Sequence, residues 1–200
     1  MRKIIFYGDS NTYGYDPADM ETQRYPLEDC WTSIVSKNLK GKAEVVNEGL
    51  NGRMLPDPAY EQSFLLRRIA LAGEDGIFAT MLGTNDILHT LHPDASQPVR
   101  KMERYLEFLE QHLRREQILI IAPVPIGQEN SPDPLFARYY AESVKMNDAF
   151  AALTRERDIM FADAGRWQVG LAFDQIHLSQ EGHKTFAAEM TKLLSVRWQI

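Results

Sequence analysis

Five short apolar runs recur along the chain, at Lys3–Tyr7, Ala43–Val46, Gly76–Leu82, Ile118–Pro123 and Ile159–Ala162, each followed by a longer stretch of helical character. The runs are rich in Ile, Val and Phe with little polar alternation, the pattern of strands covered on both faces. The stretches between and after them lie near 29–40, 58–72, 97–115, 134–156 and 180–197. In the third, Met102, Tyr105, Leu106, Leu109 and Leu113 share one helical face, while Arg104, Arg114 and Arg115 point elsewhere. Strand alternating with helix five times predicts an α/β chain, a three-layer α/β/α sandwich. Right-handed crossovers then give a flavodoxin-like five-stranded parallel sheet in the order 2-1-3-4-5. At 200 residues the chain fits a single domain, 1–200, with a core that needs no cross-link.

Composition narrows the partners. A formal net charge of −6 with no basic run argues against nucleic acid and against an anionic membrane surface. The single cysteine, Cys30, has no partner for an internal disulfide and no metal-ligand spacing, and reads as a buried filler. The run after Met1-Arg2-Lys3 is too short for a signal-peptide core or a membrane span, so a cytoplasmic protein is the default expectation.

In such a sheet, ligands gather at the carboxyl ends of the strands. Four polar clusters fall there: Gly8-Asp9-Ser10-Asn11, Asn47-Glu48-Gly49, Gly83-Thr84-Asn85-Asp86 and Asp174-Gln175-Ile176-His177. Acyl transfer needs a nucleophile, a base, a group that orients the base, and donors for the oxyanion. Ser10 stands at a sharp exit from strand one, with Asp9 and Asn11 as its supporting neighbours. Asp174 precedes His177 by three residues, close enough within one turn to hold one imidazole nitrogen while the other faces Ser10. The N–H of Ser10, the N–H of Gly49 and the side-chain amide of Asn85 are the candidate oxyanion donors. His183 reads as packing or capping, and His89 and His92 as a solvated loop rather than a metal site. A different class, Mg²⁺-dependent phosphoryl transfer using Asp9 and Asp86, leaves Asp174 and His177 idle and lacks a lysine at the expected place after strand five. Neither a Gly-x-Gly-x-x-Gly nor a Walker pattern is present.

These clusters resemble the signature blocks of the SGNH (GDSL-like) hydrolase superfamily, and Gly8-Asp9-Ser10-Asn11-Thr12-Tyr13-Gly14-Tyr15 resembles its arylesterase- and acyltransferase-like branch. Asn11 replaces the leucine of the GDSL name; Asn47-Glu48-Gly49-Leu50-Asn51-Gly52-Arg53, Met81-Leu82-Gly83-Thr84-Asn85-Asp86 and Asp174-x-x-His177 match the later blocks in order. The resemblance implies Ser10 as nucleophile, His177 as base, Asp174 as its orienting carboxylate, and an oxyanion hole of Ser10, Gly49 and Asn85, with no cofactor or metal. It also implies a small-molecule ester substrate. The match fades in the 87–96 and 124–136 loops, where an acyl or alcohol pocket would be shaped. Tyr13, Tyr15, Met54, Phe136 and Phe173 suggest a partly aromatic pocket there, and no long apolar segment offers a lipase lid. A short-acyl esterase, deacetylating a sugar or small metabolite, is the expectation; acyl transfer to an alcohol in the same site is the alternative.

Overall fold

The computed structural model describes residues 1–199, and in it five parallel strands are hydrogen-bonded in the order 2-1-3-4-5. The strands are β1 (Arg2–Gly8), β2 (Ala43–Gly49), β3 (Ile77–Met81), β4 (Ile118–Ala122) and β5 (Met160–Asp163). Seven helices accompany them: α1 (Ser10–Tyr13), α2 (Trp31–Asn38), α3 (Pro58–Ile69), α4 (Thr84–Leu88), α5 (Ser96–His112), α6 (Pro134–Glu156) and α7 (Gln180–Trp198). Three of the four long helices, α3, α6 and α7, start where the sequence supplies a side-chain cap; α5 follows Ala95 without one. Asp57 and Asp133 accept amide bonds just ahead of Pro58 and Pro134, and Ser179 accepts from the Gly182 N–H.

Alternation along β1 divides the core into two layers. Ile5 and Tyr7 pack with α3, α5 and α6 on one face; Ile4 and Phe6 pack with α2 and α7 on the other. Trp31 fills the second layer completely, its ring against Phe6 and Phe186. Truncating an aromatic side chain buried in this way costs about 3–5 kcal/mol. The central strands β3 and β4 are buried throughout, as the unbroken apolar runs require, whereas the edge strands β2 and β5 are partly exposed. β2 also runs three residues past its apolar run, through Asn47-Glu48-Gly49, because parallel pairing with Phe6, Tyr7 and Gly8 continues there. Two helices, α1 and α4, stand where sequence alone reads loops; four and five residues long, they are too short to show a periodic face. Among the described residues, no helix is long and apolar enough to cross a membrane.

Candidate active site

The β1 strand stops at Gly8 and the chain turns at once into α1, whose first residue is Ser10. Asp9 makes this turn: its Oδ1 accepts the Asn11 N–H at 3.0 Å, capping α1 and fixing the exit of the serine side chain. Its Oδ2 is buried without a hydrogen-bond partner, as are the hydroxyls of Thr12 and Thr84. Burial therefore pushes the Asp9 pKa from 3.8 up to about 7, against the weaker pull of the Asn11 N–H and Arg53. With its folded pKa raised, the folded state holds this proton more tightly than the unfolded chain, so the group removes stability as pH rises from about 4 to about 7. Asp9→Asn keeps the capping oxygen and never ionises. Its melting temperature, followed by circular dichroism, is expected to gain on the native protein steadily across that window; a gap independent of pH contradicts the buried carboxylate.

The candidate base, His177, arrives from the other end of the chain. Between β5 and α7 the loop turns back on itself, with the Ala172 N–H donating to the His177 carbonyl at 2.7 Å. Asp174 organises the turn, its Oδ1 accepting the N–H groups of Ile176 and His177, both at 3.0 Å. Its Oδ2 lies 2.5 Å from His177 Nδ1, and His177 Nε2 lies 3.0 Å from Ser10 Oγ. Burial alone would raise the Asp174 pKa, but hydrogen bonds from the His177 ring and the two amides outweigh it and hold the carboxyl below the usual range. Asn11 ties this loop to the serine turn. Its Nδ2 donates to the Ile176 carbonyl at 3.2 Å and its Oδ1 accepts the Leu178 N–H at 2.8 Å, one bond on either side of His177. A leucine at this position could make neither bond. The carbonyl of Asn11 is held in turn by Trp31 Nε1 at 2.9 Å, and the Tyr15 ring lies against the imidazole with centroids 4.4 Å apart.

Asn85, at the start of α4, faces the same edge. One of its amide hydrogens goes to the Arg53 carbonyl at 3.0 Å, which leaves the second available. Arg53 itself bridges the ends of β1 and β2 by donating to the carbonyls of Gly8 and Glu48, with its guanidinium over the Tyr7 ring. The expectation for Gly49 needs correction. Its N–H is committed to Asn47 Oδ1 at 2.8 Å, and the reason for glycine there is close approach: a Cβ would fall 2.2 Å from the Tyr13 nitrogen. The neighbouring Gly52 offers an uncommitted N–H instead, one that the sequence reading passed over. It occupies a tight turn closed by the Arg53 N–H on the Leu50 carbonyl, at φ +75°, and its own N–H has no acceptor among the described residues. The signal was the Asn51-Gly52 pair, a turn signature inside the same block, three residues past Gly49.

Other singled-out residues separate cleanly. His183 is fully buried, accepts the Trp31 N–H, and is held neutral by burial, with its pKa lowered to about 4. Cys30 is buried beneath α1. Asp86 is spent on the Leu55 N–H and Lys101, apart from Asp9. Among the described residues, no third His, Cys, Asp or Glu joins His89 and His92. Of the aromatic candidates, Tyr15 reaches the site, Phe136 packs on the core, and Phe173 stands 75% exposed beside Asp174.

The fold is shared with known esterases. A carbohydrate acetylesterase family member from Sinorhizobium meliloti superposes with a TM-score of 0.82 at 27% identity over 100% of both chains. The aryl esterase of M. smegmatis gives 0.81 at 21% identity, covering 98% of this chain and 99% of its own. An acetyl-xylooligosaccharide esterase from Geobacillus gives 0.71 at 18% identity, over 96% and 93%. A search of curated protein sequences found no match. The chain belongs to the GDSL-like lipase/acylhydrolase family, whose model matches residues 6–185, and it is accordingly an ester-bond hydrolase.

Proposed function

We propose that the protein is a serine esterase that removes short acyl groups from a sugar or a small metabolite. One observation carries the reading: Ser10 Oγ, His177 and Asp174 form a continuous hydrogen-bonded line, at 3.0 and 2.5 Å. In the resting tautomer Nδ1–H donates to Asp174 and the Ser10 hydroxyl donates to Nε2. Attack of Oγ on the ester carbonyl passes the hydroxyl proton to Nε2, and the imidazolium so formed returns it to the departing alkoxide. Water then repeats the cycle on the acyl-serine, releasing the carboxylate and restoring Ser10. The oxyanion of each tetrahedral intermediate is held by the Ser10 N–H, the free Asn85 amide hydrogen and the Gly52 N–H. Each such donor is typically worth about 3–4 kcal/mol of barrier.

Short acyl groups fit the surroundings of Asn85. The cavity beside it, lined by Met54, Asp86, His89, Thr90 and others, is about 150 Å³ and mixed in polarity. That is well below the roughly 300 Å³ at which drug-sized sites begin. A fluorophosphonate is expected to leave one adduct, on Ser10. Nitrophenyl esters should turn over fastest as the acetate and slow with each added carbon, indifferent to EDTA. Label on another residue, or activity abolished by chelator, overturns the reading.

A further inference from the structure

A second cleft, of about 350 Å³, opens at the carboxyl ends of β4 and β5, directly behind the loop that carries Asp174 and His177. Its floor is apolar, from Val169, Leu171 and their neighbours, and its polar groups are Gln128, Tyr140, Gln168 and Gln175. None of the lining residues carries a charge, in a protein in which 25% of residues do. The three primary amides and the phenol make no hydrogen bond to the protein among the described residues, so donors and acceptors alike are uncommitted. Gln168 and Gln175 are held at φ +52° and +59°, a conformation that side chains other than glycine adopt at a cost. The cleft is fixed to the catalytic loop: the Gly127 N–H donates to the Gln175 carbonyl at 2.8 Å, and Gln175 directly follows Asp174.

From these observations, and resting on the esterase reading above, we propose that this cleft is a leaving-group subsite for an uncharged, polyhydroxylated chain. Its occupant is a glycosyl unit of an acylated oligosaccharide, bound beyond the unit that bears the scissile ester. Amide groups pair with neighbouring hydroxyls as donor and acceptor at once, and an apolar floor receives the C–H face of a sugar ring. An anionic or cationic ligand would find no counter-charge. β4 and β5 lie two and three strands from β1, so about 10–14 Å separates the cleft from Ser10. That distance places it past the first ring of a chain rather than on it. Phe173, 75% exposed, follows Ala172 of the cleft lining on the same loop, and its ring is a further stacking surface open to solvent.

The test compares two esters on the native protein, Gln168→Ala and Tyr140→Ala. With acetylated xylo-oligosaccharides each variant should raise KM about fivefold, the value of one lost hydrogen bond to a neutral ligand. With nitrophenyl acetate, whose leaving group cannot reach the cleft, kcat and KM should stay unchanged. Calorimetric binding of the unesterified oligosaccharide should weaken by the same factor, a readout independent of turnover. Equal effects on both esters, or undiminished oligosaccharide binding in the variants, overturn the subsite. A native protein that cleaves nitrophenyl acetate but no acetylated oligosaccharide also overturns it while leaving the esterase reading intact. Absence of turnover on every ester, with Ser10 unlabelled, removes the esterase reading itself.

Discussion

Ser10→Ala is expected to lower kcat about a millionfold while leaving the fold undisturbed. Each half of the expectation has its own ground. The hydroxyl supplies both the attacking oxygen and the proton that His177 takes, so its removal ends the covalent route and leaves only binding and oxyanion stabilisation. Structurally, Oγ makes a single contact of note, to His177 Nε2, whereas the turn around it is held by Asp9, Asn11 and the backbone of α1. Steady-state turnover of nitrophenyl acetate, intact-mass analysis after fluorophosphonate treatment, and thermal unfolding check it together. A variant that retains more than about one part in a thousand of the native rate, with unchanged melting, means that another group is the nucleophile.

His177→Ala should cost nearly as much, and the double variant Ser10→Ala/His177→Ala should be no slower than either single one. Residues that act as one unit are not additive, because once proton transfer is lost the serine is an ordinary alcohol. The turn survives the substitution, since Asp174 Oδ1 still accepts the amides of Ile176 and residue 177, and Asn11 still holds both sides of the loop. The space left between the Tyr15 ring and the Asp174 carboxylate matches the missing ring, so added imidazole should restore part of the rate. Additive losses in the double variant, or near-normal turnover in His177→Ala, would mean that the base has been misassigned.

Much of this was readable from residue order, and the parts that were not share a cause. The apolar runs locate every strand because burial on both faces leaves a contiguous signature, clearest in β3 and β4. The polar ends of β2 carry no such mark, and that strand reads three residues short. Asp174 and His177 could be paired because they are neighbours in sequence, and Ser10 could be joined to them because the strand order brings its cluster to the same edge of the sheet, a reading to which the resemblance of ordered blocks added. Partners far apart stayed hidden. That Asn11 spans to Ile176 and Leu178, or that the Gly49 N–H is consumed by Asn47 while Gly52 keeps its own, depends on which way a peptide faces after folding. Composition carries no trace of that. The cleft behind the loop was equally invisible, because glutamines scattered at 128, 168 and 175 read as ordinary surface until the chain gathers them.

The Asn11 clamp has a bearing on how this enzyme gains and loses activity. Because a single side chain beside Ser10 grips the peptide groups flanking His177, these two proposed partners ride on one rigid body although 167 positions separate them along the chain. The last helix, which follows that loop directly and packs on α2, anchors the far side of the same body. On the proposed mechanism, fraying of the carboxyl-terminal fifth therefore does not merely loosen a scaffold; it breaks the hydrogen-bonded line from Asp174 through His177 to Ser10, and competence follows only when the chain's two ends have closed on each other.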